Sequence, residues 1–216
     1  MRLGLAIPCY KHHIPLLKRC LDSIEQQTRK PDEVVVSCSS SLLSDIPEYN
    51  YSFSLVILPA EERQNAAKNR NIAAAHLTTE LISFFDCDDV MHPQRLEYIY
   101  ESFQKSNCRI VLHSYFDGQE ENEKPFELYE SCQTVENRLR RAPSGCAILE
   151  GHSRIHHSQG SIQRSILDQV QFKEGIEYER KEDAVFCGDV LALPNITSVY
   201  IVNKLSKYYI SGVWVQ

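Results

Sequence analysis

Short apolar runs alternate with stretches of helical periodicity along the first half of the chain. Four runs rich in apolar residues occupy positions 2–8, 34–36, 54–58 and 81–85. Runs of this length without a 3.6-residue period are typical of strands that are buried on both faces. Between the first two runs, apolar residues recur at helical spacing from Pro15 to about Thr28, and Pro31 ends this helix. A strand, a helix and a strand in this order predict a βαβ unit with a right-handed crossover and parallel strands.

The same criteria extend the alternation to the rest of the chain. They predict helices over residues 62–76, 93–105, 161–170 and 180–193, and strands over 108–113 and 196–202. No repeat, low-complexity tract or linker divides the 216 residues, a length that is within the range of one α/β domain. The sequence therefore predicts a single α/β domain, 1–216, with a central, mainly parallel sheet flanked by helices.

Composition limits which partners the protein is expected to bind and in which compartment it is expected to occur. The net charge is −6 and no long basic block is present, which argues against nucleic acid as a partner. No run approaches the roughly 20 apolar residues of a membrane span, and the opening apolar segment is too short for a signal peptide. The eight cysteines are spread singly, which favours reduced thiols in a cytoplasmic protein, although their even number leaves a disulfide framework open.

The strand predicted at residues 81–85 is followed by three carboxylates, Asp86, Asp88 and Asp89. Because open α/β sheets bind ligands at the carboxyl ends of their strands, these acids lie where a ligand is expected. Carboxylates this close repel one another, and a bound divalent cation would offset the repulsion. The alternative is a polar loop in which Asp89 caps the following helix. The residues of this stretch alone leave both interpretations open.

Two further groups of polar residues are candidates for ligand binding or catalysis. Arg63, Lys68 and Arg70 fall in the first turns of the helix predicted before the acidic strand, where cations can reach phosphate oxygens or belong only to the surface. Three histidines lie in a predicted loop, at His152, His156 and His157. Their spacing matches no helix-borne zinc pattern, so contact with a substrate or simple exposure is the expected role.

Taken in order, these elements resemble those of the inverting glycosyltransferases of family 2, which have the GT-A fold, a Rossmann-like α/β domain. Five elements carry the resemblance, which runs from the first strand to Tyr209. They are Pro-x-Tyr at 8–10, a first helix and second strand at 17–36, Ala-Lys-Asn-Arg at 67–70, Phe-x-Asp-x-Asp-Asp at 84–89 and Glu-Asp at 182–183. The resemblance implies metal-dependent transfer of a sugar from a nucleotide-diphosphate sugar, with a UDP-sugar favoured, to a hydroxyl of a glycan or another acceptor.

The family pattern also implies roles for individual residues. Pro8 and Tyr10 would flank the base of the donor, and Lys68 would contact its base or phosphate. Asp86 would hold the ribose or the metal shell, and Asp88 would bind the metal, Mn²⁺ or Mg²⁺. These hard cations prefer carboxylate and phosphate oxygens, so a diphosphate would complete the set of ligands.

The catalytic base and the base-reading loop complete the implied site. Asp183 matches the aspartate of the family's Glu-Asp pair and would accept the proton of the acceptor hydroxyl. Its alternative role is that of an acid complementing a helix dipole. In the loop after the second strand, Ser37 stands near the place where the family usually has an aspartate that reads uracil, and its hydroxyl can bond the base but carries no charge. Residues 1–113 would form the donor half and 114–216 the acceptor and catalytic half.

Two other classes of function fit part of the sequence. Residues 84–90 also satisfy the Asp-x-Asp-x-Thr/Val motif of haloacid-dehalogenase-like phosphatases, in which Asp86 would be the nucleophile and Asp88 the general acid. That group places the motif on its first strand, whereas three strands are predicted before it here. The second alternative is a binding module that keeps the fold without turnover, and the presence of both Asp88 and Asp183 argues against it.

Overall fold

A computed structural model of the protein describes residues 1–116, 124–151 and 155–209. Its strands are β1 (Leu3–Tyr10), β2 (Glu33–Ser39), β3 (Leu55–Ala60), β4 (Leu81–Phe84), β5 (Val90–Met91), β6 (Ile110–Phe116), β7 (Thr134–Glu136), β8 (Leu139–Arg141), β9 (Ala147–Leu149), β10 (Ser161–Gln163) and β11 (Ser198–Lys207). Its α-helices are α1 (Ile14–Glu25), α2 (Ala66–His76), α3 (Arg95–Ser106) and α4 (Glu182–Leu191).

Nine strands of the described ranges form one sheet. Their order is β3-β2-β1-β4-β10-β6-β11-β5, with β7 added on β11. The strands β1 to β4 are parallel to one another, and β11 is parallel to β6. Between these groups β10 runs antiparallel to both β4 and β6, while β5 and β7 run antiparallel to β11. The predicted α/β class is confirmed, with a first half that is parallel and a second half that is mixed.

Helices cover both faces of the sheet. On one face α1 and α3 pack against the odd-numbered residues of β1, in a core that includes Leu5, Leu17 and Phe103. On the other face α2 and α4 pack against a second core that includes Ala6 and Phe186. Because successive side chains of a strand point to opposite faces, the uninterrupted apolar run of β1 is what allows it to serve both cores.

Two strands run further toward the expected ligand edge than predicted. Strand β1 continues through Pro8 to Tyr10, and β2 continues to Ser39, so the loop predicted from Ser37 onward is mostly strand. Proline is tolerated inside β1 because pairing with β4 ends at Ala6, and the missing N–H of Pro8 faces that unpaired side.

Residues 161–170 are not a helix, and this prediction was wrong. They form strand β10 and then a 3₁₀ helix, Arg164–Asp168. The apolar residues Ile162 and Ile166 have helical spacing, but β10 pairs on both sides, and these ladder bonds outweigh the local spacing.

All eight cysteines lie within the described ranges, and none forms a disulfide. Six are buried and two are half-buried. They pack as small apolar side chains. Among the helices that the structure describes, none is long and apolar enough to cross a membrane.

Candidate active site

The carboxyl ends of β1, β2 and β4 meet at one edge of the sheet because these strands are parallel neighbours. Pro8 is buried and Tyr10 is half-buried at the end of β1. Residues 86–89, which we call the acidic turn, follow β4 at the same edge. The fold therefore brings together three of the predicted elements that are far apart in sequence.

Of the cations predicted in the first turns of α2, Lys68 lies in the helix at this edge and Arg63 lies before it. Asn65 caps the helix, with its Oδ1 accepting the backbone N–H of Lys68 at 2.9 Å. Lys68 is half-buried in the first turn, as predicted. Arg63 is exposed and precedes the cap, so its predicted place inside the first turns of the helix was wrong.

Ser37 lies beneath this edge, where its hydroxyl serves the protein interior. Ser37 is 1% exposed, and its Oγ donates to Asn69 Oδ1 at 2.9 Å. Asn69 Nδ2 in turn donates to the backbone oxygen of Cys9 at 3.1 Å and to Ser39 Oγ at 3.0 Å. Asn69, to which the motif at 67–70 assigned no role, thus ties the ends of β1 and β2 to α2. The contact of Ser37 with a base stays a prediction.

Arg70 joins the acidic turn to the start of α4. One guanidinium nitrogen donates to Asp86 Oδ1 and another to Glu182 Oε1, both at 2.8 Å. The Arg70 side chain is 4% exposed, and the two carboxylates are 20% and 13% exposed. A buried fork between two carboxylates has well-defined geometry. Arg70 therefore fixes the position of Asp86 and bonds only one of its two oxygens.

Asp183 follows Glu182 in the first turn of α4, so Arg70 also fixes its distance from the acidic turn. Its Oδ1 accepts the backbone N–H of Ala184 at 2.6 Å. Burial raises the pKa of Asp183 to about 6, and the carboxylates of Glu182 and Asp86 act in the same direction, while Arg70 opposes them. A carboxylate with a pKa near neutrality can accept a proton from a reacting hydroxyl efficiently.

Asp88 and Asp89 occupy different environments within the acidic turn. Asp88 is half-buried, and its backbone oxygen accepts a hydrogen bond from Arg19. Asp89 is fully buried, and its two carboxyl oxygens accept from Gln159 Nε2 at 2.5 Å and from the Tyr209 backbone N–H at 3.0 Å. Burial raises the pKa of Asp89 well above its ordinary value. Of the two interpretations left open for Asp89, the helix cap does not hold, because α3 begins well beyond it and has Gln94 as its N-cap.

The chemistry of Asp86 and Asp88 fits a divalent cation that also binds a diphosphate. In the described residues, no group of three or more His, Cys, Asp and Glu side chains is placed to hold a metal ion alone. Mg²⁺ and similar ions bound with nucleotides take only one or two carboxylates and complete their shell with phosphate and water oxygens. Two neighbouring carboxylates, one of which keeps an oxygen outside its bond with Arg70, meet this requirement.

Two of the three histidines of the predicted loop lie within the described residues. His152 lies outside the described residues. His156 and His157 are half-buried, and burial lowers the pKa of each to about 4. Both rings are therefore neutral at physiological pH.

Comparison with solved structures assigns the fold class. The complex of S. aureus TarS 1-349 with UDP-GlcNAc has a TM-score of 0.71 at 17% identity, over 96% of this chain and 58% of that chain. The complex of the same protein with UDP has a TM-score of 0.69 at 16% identity, over 96% and 60%. The fold is that of the GT-A glycosyltransferases, as predicted.

The chain belongs to glycosyl transferase family 2, because the model of that family matches residues 5–170. This confirms the family predicted from the sequence. The matched range contains Pro8, Tyr10, Lys68 and the acidic turn, and it ends before Asp183. The family match therefore does not reach Asp183, and its role as the catalytic base stays a prediction.

Three curated relatives also match the sequence of this chain, over different lengths. An uncharacterized glycosyltransferase of Haemophilus influenzae is 29% identical over 51% of this chain and 38% of its own length. The amylovoran biosynthesis glycosyltransferase AmsE of Erwinia amylovora is 31% identical over 44% and 37%. The succinoglycan biosynthesis protein ExoW of Rhizobium meliloti is 25% identical over 88% and 64%. The chain thus spans less than two thirds of the length of each relative.

With Asp183 as the base, as the sequence predicts, its raised pKa gives an acid limb in the pH profile of sugar transfer. Below about pH 6 the carboxylate is protonated and cannot accept the proton of a hydroxyl, so kcat/KM should fall about tenfold per pH unit. Above this pH the Asp183 carboxylate is ionised and the limb should level off. Initial rates between pH 4.5 and 8 test this, with donor affinity measured in parallel to separate binding from chemistry. A rate that stays constant down to pH 5 would contradict the role of Asp183.

Proposed function

We propose that the protein is a metal-dependent inverting glycosyltransferase that moves a sugar from a nucleotide-diphosphate sugar to an acceptor hydroxyl. The observation that carries this proposal is the link through Arg70, which holds Asp86 of the acidic turn and Glu182, the neighbour of Asp183, within one ion-pair network. A donor-binding carboxylate and a candidate base are thereby fixed relative to each other. Fixed relative positions are what a displacement at a sugar carbon requires.

The donor would lie across the carboxyl ends of β1, β2 and β4. Pro8 and Tyr10 flank the nucleobase, and Lys68 contacts the base or a phosphate. Asp86 and Asp88 would hold Mn²⁺ or Mg²⁺, which would neutralise negative charge on the diphosphate leaving group. Uracil is our preferred base because the TarS structures that share this fold contain UDP or UDP-GlcNAc.

Asp183 would accept the proton of the acceptor hydroxyl as that oxygen attacks the sugar carbon. The attack comes from the face opposite the leaving diphosphate, so the configuration at that carbon inverts. Arg70 keeps Asp183 ionised in a site rich in carboxylates, because it lowers a pKa that burial and the neighbouring acids raise. In this arrangement residues 1–113 bind the donor and residues 114–216 supply the base and the acceptor side.

A glycan is our preferred acceptor. Two relatives are named for the biosynthesis of succinoglycan and amylovoran, which supports a role in building a glycan chain. The phosphatase alternative is disfavoured by the family match and by Arg70, which bonds the carboxylate that would have to act as nucleophile. A binding module without turnover is disfavoured by the raised pKa of Asp183.

A thermal-shift screen of nucleotide sugars tests the donor proposal. A ligand that binds only the native state raises the melting temperature. We expect a shift with one or a few nucleotide sugars that depends on Mn²⁺ or Mg²⁺, followed by release of the nucleoside diphosphate when a hydroxyl acceptor is added. Phosphate release from simple phosphoesters, with no response to any nucleotide, would instead support the phosphatase.

A further inference from the structure

The ring of His156 carries a buried nitrogen without a hydrogen-bond partner. Its Nδ1 lies 2.9 Å from Ser158 Oγ. Its Nε2 is buried and has no hydrogen-bond partner in the part of the chain that the structure describes. Leaving a buried polar group unpaired costs free energy, so most such groups in native proteins are paired. A ligand bound at the site would supply a partner for this nitrogen.

Two tyrosine rings hold the imidazole of His156 in place. Tyr115 meets it edge to face, with ring centroids 4.6 Å apart and an interplanar angle of 84°. Tyr208 meets it in the same manner at 5.1 Å and 78°, and the two tyrosine rings lie 6.1 Å from each other. Perpendicular contacts of this kind are a favoured arrangement of aromatic rings. These three residues, which we call the aromatic cluster, therefore set the direction of Nε2.

The aromatic cluster lies beside the acidic turn, because Tyr208 adjoins Tyr209, whose backbone N–H donates to Asp89 Oδ1 at 3.0 Å. Burial lowers the pKa of His156 to about 4, and the carboxylate of Asp86 is the first charge that opposes this effect. Burial raises the pKa of Tyr208, and the carboxylates of the acidic turn and of Asp183 raise it further. His156 is thus a neutral imidazole beside the acidic turn, which carries the proposed donor carboxylates.

These surroundings favour a hydrogen on Nε2. The hydroxyl of Ser158 can donate to Nδ1, which leaves the ring hydrogen of a neutral imidazole on Nε2. The negative potential of the nearby carboxylates favours an N–H over a lone pair at that position. Nε2 therefore presents a donor that needs an acceptor oxygen.

We propose that His156 Nε2–H donates a hydrogen bond to an anionic oxygen of the donor's diphosphate, on the phosphate that leaves the sugar. This inference rests on the proposed function, in which Asp86 and Asp88 bring the diphosphate to the acidic turn. The hydrogen bond strengthens as negative charge grows on the leaving oxygen, and the proton stays on His156. His156 therefore aids departure as a neutral donor and adds no further positive charge to the site.

Titration calorimetry with UDP and UMP in the presence of Mn²⁺ tests the proposal. Because UMP lacks the second phosphate, His156→Phe should weaken UDP binding at least tenfold and leave UMP binding within about twofold of wild type. His156→Gln can place an amide N–H near the position of Nε2 and should restore most of the UDP affinity. In turnover assays His156→Phe should lower kcat more than it raises KM, because the bond is strongest in the transition state.

His76→Phe is the matched control, because it makes the same change at an exposed position near the end of α2. It should leave both affinities unchanged, and melting curves confirm that each variant is folded. Equal losses for UDP and UMP, no loss at all, or a loss only with the intact nucleotide sugar would overturn the assignment of His156. If the wild-type protein bound no nucleoside diphosphate, the proposed function itself would fail, which is a distinct result.

Discussion

Replacing Asp183 by asparagine should abolish sugar transfer while leaving metal-dependent donor binding intact. Asparagine has nearly the same shape, but its amide cannot accept a proton from the acceptor hydroxyl. Removing a general base typically costs 10²–10⁴-fold in rate, and we expect kcat to fall by about 10³-fold. Donor affinity should change by less than about threefold, because Asp183 is not among the proposed donor contacts. Initial-rate kinetics and calorimetry on the same preparation measure the two effects.

Asp189→Asn provides a matched control on the same helix. Asp189 pairs with Arg141 at 3.2 Å and with Lys173 at 2.7 Å, and it has no proposed role in transfer. Its variant should keep a rate close to that of wild type, since partly exposed ion pairs of this kind contribute little to stability. An Asp183→Asn protein that transferred sugar at the wild-type rate would show that another group is the base.

Replacing Arg70 by methionine should destabilise the protein by about 3 kcal/mol, because removing one member of a buried ionic network leaves the others without a partner. The figure is near the low end for buried pairs, since Asp86 and Glu182 keep 20% and 13% of their side-chain surface exposed. Urea unfolding followed by circular dichroism measures the change. The acid limb of any remaining activity should also move to higher pH, because Arg70 normally lowers the pKa of Asp183.

Two further variants separate the causes of this loss. Arg70→Lys keeps the charge but not the fork that reaches two carboxylates, so we expect an intermediate stability. Arg138→Met removes a surface arginine whose side chain is 62% exposed and lies 3.5 Å from Glu150, and it should cost less than about 0.5 kcal/mol. If Arg70→Met were as stable as wild type, the ion-pair network would not hold α4 to the acidic turn.

The core of the fold was predictable because apolar runs and helical periods are local. Strands β1 to β4 and helices α1 to α4 follow from residue spacing, with ends that differ by a few positions. Strand β10 was missed because Ile162 and Ile166 have helical spacing, and its strand form depends on two partners distant in sequence. The short strands β5, β7, β8 and β9 carry too few residues for a periodic signal.

Only those residues of the site that lie within a single sequence motif were predictable. The acidic turn and Asp183 each stand in a recognisable pattern, and Lys68 occupies the predicted first turn of α2. The double ion pair of Arg70 was not predictable, because it joins residues that are 16 and 112 positions away in sequence. One signal was present: Asn69 and Arg70 interrupt an alanine-rich helix, and polar residues on a closely packed helix need partners.

The most direct test of a metal-bound nucleotide-sugar donor at the carboxyl edge is calorimetric titration of UDP, with and without Mn²⁺, into wild type and Asp88→Asn. We expect wild type to bind UDP at least tenfold more tightly with Mn²⁺ than with a chelator. Asp88→Asn should lose this difference, because an amide is a weaker ligand for a hard cation than a carboxylate. Equal affinity with and without metal, or an unchanged metal response in Asp88→Asn, would contradict the assignment of this site.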